Sequence, residues 1–556
     1  MPPFNPHALA LFCLAPLNKR AEEVLAHPLN EPFVSVLENG SLALAIGHIR
    51  SKAGTSTLAT LGRGNADVFV PGSSISKIQC SFELDLDTKV VMLYDRSHGQ
   101  TTQVSGVHST PFEHGRARKI LVQRDLNEII GMGGERRNLI QFIVKWHQDE
   151  VITTKKINAR HDTALDYEDN PRFARTVDEA ATVLPSQRAT RLHTPGTQQL
   201  TMRYVKIDVL GSGQYGEVHK VIDVDSGKLM ALKMLKRPVD ARKQELEKWR
   251  LSLHYALKRE VENLARISHP HIIEYITSQG WDGPEVELFM GLKEGTLEAL
   301  IEDGDCQDVA ELVFHQMLQA LDCLSLNDIV HRDVKPENIL YTTRPNKQFQ
   351  FQLGDFGLCN RVVNAKTFAG SPLYMAPEMF QKGEQTHKVD VWSLFVTMLW
   401  TLDVGGFRHE WREYQSLSKV HEKVSLLASN EAAVSQIRDM AILNPEGRAS
   451  AAQMLVKCFD GIGLSTPRDR IPALTTCPII LAVKALPAPT PVRTTRPAYQ
   501  ERKGLQKGRN PAVAAGRYRV EKACHTPQAQ APKTACHPPS KKNLARALTP
   551  SRIERL

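Results

Sequence analysis

Apolar and polar residues alternate in short stretches between residues 30 and 150. Residues 89–94 and 139–146 are examples, and Gly, Ser, Asn or Asp interrupts the pattern about every ten positions. A period of two is typical of strands with one buried face, and frequent turns are typical of antiparallel sheets. The pattern predicts an all-β sandwich.

A different pattern begins near residue 201. Residues 204–235 are rich in β-formers, whereas residues 257–267 and 311–326 repeat apolar positions with the period of a helix. This helical character continues to about residue 458. We therefore predict a bilobal α+β domain over residues 201–460, in which a small sheet-bearing lobe precedes a mainly helical one.

The remaining segments lack such periodicity. Residues 1–29 are predicted to form a flexible N-terminus, and residues 151–200, rich in Thr, Arg, Asp and Pro, a linker. Residues 461–556 are rich in Pro, Ala and basic residues, which predicts a disordered basic tail. The chain is therefore predicted to be multidomain.

Charge distinguishes the tail from the folded domains. Residues 461–556 contain 18 Lys and Arg against 4 Asp and Glu, a net charge of +14 that leaves −5 of the total of +9 for the rest of the chain. A basic tail suits weak contact with nucleic acid or with an acidic partner. We expect no nucleic-acid binding by the folded domains.

The cysteines and the hydropathy of the chain argue against a disulfide-bonded protein and against a membrane protein. The nine cysteines include no Cys-x-x-Cys pair, which indicates reduced thiols in an intracellular protein. No stretch approaches the roughly 20 apolar residues of a membrane span, so we expect no membrane partner.

A glycine-rich run lies between two strand-like stretches and reads Gly211-Ser-Gly-Gln-Tyr-Gly216-Glu-Val218. Glycines let a backbone turn sharply and approach phosphates closely. A dinucleotide-binding unit with such a run requires a helix immediately after it. Because residues 218–223 read as a strand, the run predicts a hairpin that covers phosphates.

A lysine and a glutamate could complete this phosphate site. Lys233 follows in the next strand, and Glu260 lies in a predicted helix from which it could hold the lysine in place. Glu262 is the alternative partner, but it lies roughly 200° around the helix from Glu260, so only one of them can face Lys233. The spacing to the following His-Pro-His run favours Glu260.

Three further blocks supply the groups that phosphoryl transfer needs. They read His331-Arg-Asp333-Val-Lys335-Pro-Glu-Asn338, Leu353-Gly-Asp355-Phe-Gly357 and Met375-Ala-Pro-Glu378. The reaction requires a base for the hydroxyl proton, oxygen ligands for Mg²⁺ and compensation of charge. Asp333 is the candidate base, and Lys335 can neutralise the transferred group. Asn338 and Asp355 carry hard oxygen donors suited to Mg²⁺.

Residues 204–460 resemble a eukaryotic protein kinase, because these runs occur in that family's order. Lys335 and the segment Gly370-Ser-Pro-Leu-Tyr resemble the serine/threonine-specific branch. The resemblance implies that ATP and Mg²⁺ are the cofactors and that proteins are the substrates. It implies catalytic roles for Asp333, Lys335, Lys233 and Glu260. It also implies an ATP site formed by Leu210, Gly211, Ser212, Gly213, Gln214, Tyr215, Gly216, Val218, Ala231, Lys233, Met290, Leu292, Glu294 and Leu340.

The same resemblance implies two supporting interactions and a switch. Asp390 would hold the catalytic loop, and Arg448 would form an ion pair with Glu378. Thr367 would be an activating phosphorylation site whose phosphate is bound by Arg332. A phosphate adds about −1.5 to −2 charges, so it can order a loop against an arginine.

Residues 30–150 resemble a forkhead-associated (FHA) domain, a β-sandwich whose loops bind phosphothreonine peptides. The resemblance rests on Leu61-Gly-Arg63-Gly, on Ser74-Ile-Ser76-Lys77 and on Asp95-Arg-Ser97-His-Gly99. It implies that Arg63, Ser76 and Lys77 bind the phosphate of a phosphothreonine partner protein. The chain has Gln79 where the family has His, and it lacks the usual Asn-Gly-Thr. The alternative is a packing domain with Arg63 in a surface ion pair.

An FHA domain followed by a serine/threonine kinase resembles the checkpoint kinase 2 group. That resemblance implies DNA-damage or meiotic signalling, a nuclear or cytoplasmic location, and a possible homodimer for phosphorylation in trans. Two alternatives stay open. One is an active kinase of another pathway, such as autophagy or metabolic signalling, with a degenerate FHA domain, and the other is a scaffold whose kinase fold is inactive.

Overall fold

Two facing β-sheets form the first part of the chain. In the computed structural model, the described residues are 9–134, 139–146, 155–157, 200–213, 216–236, 258, 261, 265–281, 283, 285–304, 309–355, 372–380, 385–410 and 416–474. One sheet has the strand order β2-β3-β1-β11-β10-β8, and the other has the order β5-β4-β6-β7-β9. The strands are β1 (Phe12–Pro16), β2 (Val34–Val36), β3 (Leu42–Ile46), β4 (Thr57–Gly62), β5 (Val68–Phe69), β6 (Cys80–Leu84), β7 (Val91–Asp95), β8 (Gln103–Ser105), β9 (Lys119–Val122), β10 (Ile129–Met132) and β11 (Ile140–Trp146).

The core between these sheets follows from the alternation in the sequence. Along β11, Ile140, Phe142 and Val144 are buried, whereas the residues between them are partly exposed. Phe12 of the first sheet contacts Phe82 of the second edge to face, with ring centroids 5.1 Å apart. Side chains from both sheets therefore form one core, as the pattern of residues 30–150 predicts.

The sandwich begins earlier than the sequence indicates. Residues 12–16, placed in a flexible N-terminus by the sequence, form β1 and pair with both β3 and β11. Helix α1 (Lys19–Leu25) follows, capped by the side chain of Asn18, and a 3₁₀ helix spans Pro28–Phe33. The predicted boundary at residue 30 is therefore wrong for residues 9–29. The partner strand β11 lies more than a hundred positions away, so no local pattern could reveal the pairing.

The second domain begins with a five-stranded antiparallel sheet. Its strands are β12 (Tyr204–Gly213), β13 (Gly216–Asp223), β14 (Leu229–Lys236), β15 (Tyr275–Gln279) and β16 (Glu285–Gly291), in the order β12-β13-β14-β16-β15. A strand, not a helix, follows the glycine run, which confirms the predicted hairpin. Residues 257–267, the first predicted helix, lie largely outside the described residues.

A helical lobe follows this sheet. Its helices are α2 (Leu297–Glu302), α3 (Ala310–Leu326), α4 (Lys388–Thr401), α5 (Phe407–Glu410), α6 (Leu417–Asn430) and α7 (Ala451–Phe459). A small sheet of β17 (Gly295–Thr296), β18 (Ile339–Thr343) and β19 (Phe349–Leu353) lies at its start. The helix α4 is buried almost throughout, including the polar residues Asp390, Ser393, Thr397 and Thr401 along one side, as expected for the central helix of a lobe. Among the described helices, none has the length and apolarity needed to cross a membrane.

The folded region also extends beyond residue 460. The carboxylate of Asp322 on α3, 1% exposed, accepts hydrogen bonds from the backbone N–H groups of Ser465 and Thr466 at 2.7 and 2.9 Å. Residues 461–474 therefore belong to the helical lobe, and the predicted tail starts too early. The rest of that tail, residues 475–556, lies outside the described residues. Most of the predicted linker does too, although Ile157 is buried in the sandwich core.

Phe12→Ala tests the assignment of β1 to the sandwich. Phe12 is fully buried, so its truncation removes apolar contacts and leaves a cavity between the sheets. We expect the free energy of unfolding of the sandwich to fall by about 3–5 kcal/mol. Chemical denaturation of the full chain measures it, with Leu17→Ala, at a side chain 47% exposed, as the control. Equal midpoints for the two variants would contradict the assignment.

Candidate active site

The glycine hairpin connects β12 to β13. Gly213 pairs with Gly216 at its tip, and Gln214 and Tyr215 lie outside the described residues. Gly216 has a φ of 152°, and a Cβ there would lie 1.9 Å from the carbonyl oxygen of Met234. A side chain at Gly211 would instead meet nothing within 4 Å. Glycine is therefore required at position 216, because β14 approaches the backbone there too closely for a side chain. At Gly211 there is open space beside the hairpin.

One face of the five-stranded sheet carries several of the predicted ATP-site residues. Val218 on β13 pairs with Lys233 on β14, and Ala231, two residues before Lys233, pairs with Met290 on β16. Paired residues and residues two apart on a strand point to the same side of a sheet. The register therefore brings Val218, Ala231, Lys233 and Met290 to one face.

The end of β16 leads into a segment that is fixed to the small sheet. Glu294 donates its backbone N–H to the carbonyl oxygen of Tyr341 at 2.9 Å, and its carboxylate accepts from the Thr343 hydroxyl at 2.7 Å. Leu340 on β18 lies beside Gly354, where a Cβ would be only 2.8 Å from the Cδ1 atom of Leu340. Glu294 thus anchors the segment between the lobes. Among the other predicted residues, Leu292 is partly buried and Leu210 is 48% exposed.

A single buried carboxylate holds the catalytic loop. Asp390 on α4, 2% exposed, accepts hydrogen bonds from the backbone N–H groups of His331 and Arg332 at 2.8 and 2.7 Å. The ring Nε2 of His331 lies 2.9 Å from the carbonyl oxygen of Gly354. Burial raises the pKa of Asp390 to about 7, and the two N–H donors oppose that shift. Arg332 has a φ of 69°, so the loop turns through a left-handed conformation at this point.

The candidate base is held by two neighbours of the same loop. Lys335 Nζ lies 3.0 Å from Oδ2 of Asp333, and the side-chain amide of Asn338 donates to that oxygen at 2.8 Å. The same amide donates to the backbone carbonyl of Asp333 at 2.7 Å. The structure therefore brings together Asp333, Lys335 and Asn338, as the sequence predicts.

Asp355 contacts the lysine of β14. Lys233 Nζ lies 2.5 Å from Oδ1 of Asp355, which has a φ of 49°. Partial desolvation raises the pKa of Asp355, but the Lys233 ammonium outweighs it and holds the pKa below its usual value. His331 and Lys335 lower the pKa of Asp355 in the same direction, after Lys233.

The donor atoms that remain fit a divalent metal. Both N–H bonds of the Asn338 amide go to Asp333, so its Oδ1 is the atom left to bind a ligand. The second carboxylate oxygen of Asp355 is a hard donor of the same kind. Asn338 and Asp355 would hold the metal, and the chemistry of these oxygens suits Mg²⁺ or a similar ion.

The ion pair implied between Arg448 and Glu378 is present. The Arg448 side chain is fully buried, and its Nη1 and Nη2 lie 2.6 and 3.0 Å from the two carboxylate oxygens. Its guanidinium also stacks over Trp392, 5.2 Å from the ring centroid, and Nε donates to the Ile442 carbonyl. This prediction is confirmed. The predicted residues Glu260, Gln214, Tyr215 and Thr367 lie outside the described residues.

A second candidate site lies on loops of the sandwich. The N–H of Arg63 donates to the Ser76 carbonyl at 3.0 Å, and the N–H of Gly64 donates to the Lys77 carbonyl at 3.0 Å. A Cβ on Gly62 would lie 2.2 Å from that Lys77 oxygen, so these two loops touch through their backbones. The exposed Arg63 and Lys77 and the partly exposed Ser76 therefore lie on adjoining loops.

Gln79 ties these loops to a third. Its buried amide oxygen accepts from the Ser76 N–H at 3.0 Å. Its Nε2 donates to the hydroxyls of Thr101 and Thr102 at 2.9 and 3.0 Å. Sequence reasoning identified Gln79 as a departure but missed both threonines. The adjacent hydroxyls in Gly99-Gln-Thr-Thr were the available signal, where the family has Asn-Gly-Thr.

Comparison with known proteins agrees with the geometry of the second domain. Residues 204–459 match the family model of the protein kinase domain. The chain is 29% identical over 270 residues to serine/threonine-protein kinase 10 of Mus musculus, covering 45% of this chain and 26% of that protein. It is 30% identical over 307 residues to NUAK family SNF1-like kinase 2 of Rattus norvegicus, covering 53% and 46%. It is 31% identical over 208 residues to serine/threonine-protein kinase TIO of Arabidopsis thaliana, covering 36% and 15%.

The chain therefore spans less than half the length of each of these relatives. The family match begins at the first residue of β12 and ends at the last residue of α7. It contains the glycine hairpin, the catalytic loop and Asp355. Such a domain uses ATP and a divalent metal. Residues 204–459 of this chain therefore match the protein kinase domain family, and two of the relatives named above are serine/threonine-protein kinases.

Proposed function

We propose that this chain is an ATP-dependent protein serine/threonine kinase that transfers the γ-phosphate of ATP to hydroxyl groups of protein substrates. The observation that carries the proposal is the arrangement of Lys335 and Asn338 around one oxygen of Asp333. Mg²⁺ is the proposed metal, and it would neutralise charge on the phosphates of bound ATP. Asn338 and Asp355 are its proposed ligands.

The geometry of Asp333 supports a direction for the proton transfer. Oδ2 already accepts from Lys335 and Asn338, so Oδ1 is the oxygen that accepts the proton of the substrate hydroxyl. Lys335 remains close enough to compensate the negative charge of the transferred group. Lys233, on the sheet face beside Val218 and Ala231, would bind the phosphates, with Glu260 as its proposed partner.

Asp333→Asn tests this role. An amide cannot accept the hydroxyl proton, so we expect kcat to fall by about 10²–10⁴ while ATP affinity changes little. Initial rates with a generic protein substrate and titration with ATP measure the two quantities. The control is Asp439→Asn, which alters a carboxylate in an exposed ion pair with Lys457.

The outcome also decides between an active kinase and an inactive scaffold. The catalytic proposal is wrong if the wild-type protein shows no turnover, or if its turnover is unchanged in Asp333→Asn. In the first case the scaffold alternative stands. Loss of nucleotide binding together with turnover would indicate a collapsed site, and not a lost base.

We propose that Thr367 is phosphorylated to activate the kinase, with Arg332 as the group that binds the phosphate. Arg332 adjoins Asp333 in a loop that Asp390 holds rigidly, so a phosphate bound there would order the segment around the substrate site. A second copy of the chain, in a transient homodimer, could transfer the γ-phosphate of its bound ATP to Thr367 in trans.

Thr367→Ala is expected to lower turnover by about tenfold or more, because the alanine cannot carry the phosphate that Arg332 binds. The measurement is the initial rate of protein purified after incubation with ATP, with phosphorylation followed by mass spectrometry. Arg332→Lys is the companion variant, since a lysine keeps the charge but not the bidentate geometry. Unchanged turnover in Thr367→Ala would rule out the switch.

We propose that the sandwich binds phosphothreonine peptides and so recruits the kinase to phosphorylated partners. This proposal rests on the FHA resemblance and on adjoining loops that present Arg63, Ser76 and Lys77. The amide of Gln79 bridges the loops, which supports a function for it in place of the family's histidine. A phosphate requires such converging donors from adjacent loops.

Arg63→Ala is expected to weaken binding of a phosphothreonine peptide by about tenfold or more, because hydrogen bonds to a charged group contribute about 1.5–3 kcal/mol. Binding to the full chain is measured by fluorescence anisotropy with a peptide selected from a library. Arg96→Ala, at an arginine paired with Glu83 on the same sandwich, is the control. Equal affinity in the two variants would favour a packing domain.

The pathway proposal rests on architecture alone. We propose DNA-damage checkpoint or meiotic signalling in the nucleus, the cytoplasm or both, in line with the checkpoint kinase 2 group. The alternative is an active kinase of another pathway with a degenerate FHA domain. Arg63-dependent peptide binding separates these two.

A further inference from the structure

A hairpin of the kinase domain enters the core of the sandwich. We call residues 222–229 the interdomain hairpin; they join the end of β13 to the start of β14. Ile222 and Val224 are 1% exposed and belong to the sandwich core. The N–H of Leu121 on β9 donates to the carbonyl of Val224 at 2.8 Å. The hairpin therefore shares both apolar core and backbone hydrogen bonding with the sandwich.

Its turn also approaches the sandwich closely. Gly227 has a φ of 75°, and a Cβ there would lie 2.9 Å from the sulfur of Met92 and 3.2 Å from a methyl group of Val90. A larger residue at this position would be strained by the positive φ and would require the side chains of Met92 and Val90 to shift. Such contact resembles packing within a domain more than the contact of two independent domains.

Charged groups border this apolar contact. Asp225 in the hairpin turn pairs with Arg203, and with Arg116 at 2.9 Å. Arg116 also donates to the Thr201 carbonyl at 2.7 Å, and Arg203 donates to the Pro111 carbonyl at 2.6 Å. The side chains of Arg116, Arg203 and Asp225 are only 11%, 13% and 15% exposed. Glu113, 44% exposed, also pairs with Arg116 at 2.6 Å and with Arg203 at 3.3 Å. Removal of Asp225 would leave the two arginines with only this more exposed carboxylate, which belongs to the sandwich, so Asp225 is the acid that fixes the hairpin to the cluster.

The backbone of β9 connects the hairpin contact at Leu121 to Arg118, and hydrogen bonds extend from Arg118 to the candidate phosphopeptide loops. Arg118, one residue before β9, donates to the carboxylate of Asp95 and to the carbonyl oxygens of Gln100 and Thr102 at 3.0 and 3.2 Å. Asp95 in turn accepts from the Thr102 hydroxyl at 2.8 Å. That hydroxyl also accepts from Gln79, the residue that ties the Ser76 loop.

The other end of the hairpin reaches the nucleotide site. The strands that form it, β13 and β14, carry Val218 and Lys233 opposite each other. A shift of the hairpin would therefore also shift β13 and β14, which carry these two proposed ATP-site residues. Rigid elements of this kind can transmit coupling between sites.

We propose that the interdomain hairpin couples phosphopeptide binding at the Arg63 and Ser76 loops to nucleotide binding at Lys233. The inference rests on the proposed phosphothreonine binding and adds regulation to it. A peptide bound at these loops contacts the segment Gln100–Thr102 and strengthens its hydrogen bonds to Arg118, which fixes β9 and the hairpin against it. Each ligand then tightens the binding of the other by the same factor, because binding free energies are linked reciprocally.

The test measures the affinity of the full chain for a non-hydrolysable ATP analogue with Mg²⁺, without and with a saturating phosphothreonine peptide. We expect the peptide to tighten nucleotide binding about fivefold or more, and the nucleotide to tighten peptide binding equally. Asp225→Asn should leave peptide affinity unchanged in the absence of nucleotide but bring the coupling ratio close to one. Glu83→Gln is the matched control, because Glu83 pairs with Arg96 on the sandwich and contacts none of the hairpin ion pairs.

The outcomes separate this inference from the function on which it rests. If the peptide binds the wild-type protein and nucleotide affinity does not change, the coupling is wrong and the binding proposal stands. If no phosphothreonine peptide binds, both are overturned. A coupling ratio in Asp225→Asn equal to that of wild type overturns the route through the hairpin. Thermal unfolding checks that each variant is folded, and Arg116→Gln replaces Asp225→Asn if that protein does not fold.

Discussion

The active site depends on the two hydrogen bonds that the Asp390 carboxylate accepts from the catalytic loop. They fix the backbone at His331 and Arg332, and the left-handed turn at Arg332 then sets the direction of Asp333, Lys335 and Asn338. The anchor is reliable because it lies on α4, the buried helix around which the lobe packs. Burial of an acid is costly unless its hydrogen bonds are satisfied, and here the satisfied bonds also position the reactive groups.

The same arrangement recurs at other places in the molecule. Arg448 fixes the segment of Glu378, Asp322 fixes residues 465–466, and Gln79 connects the Ser76 loop to Thr101 and Thr102. In each case one buried polar side chain makes several hydrogen bonds that join it to another segment. Loops near the two candidate sites are therefore held by specific hydrogen bonds, whereas apolar packing holds the helices and sheets beneath them.

Sequence reasoning succeeded where the physical signal was local. Asp333, Lys335 and Asn338 lie within one short run, so their contact could be predicted from the sequence alone. The glycine hairpin could be distinguished from a dinucleotide-binding unit because a strand pattern followed it. The Arg448–Glu378 pair came from family resemblance. Pairing of β1 with β11 was missed, since it joins strands far apart in the chain. Ile222 and Val224 read as ordinary strand residues, because alternation shows that a side chain is buried but not which core receives it.

The shared core at the interdomain hairpin has a consequence for how this protein can be divided. A kinase fragment that starts near residue 201 would carry Ile222, Val224 and Leu229 on a bare β-turn, without the strand that covers them. Exposed apolar edges of this kind promote self-association. Sandwich and kinase are thus not interchangeable modules joined by a tether, and insertion or exchange of either one would have to supply a matching surface for the other.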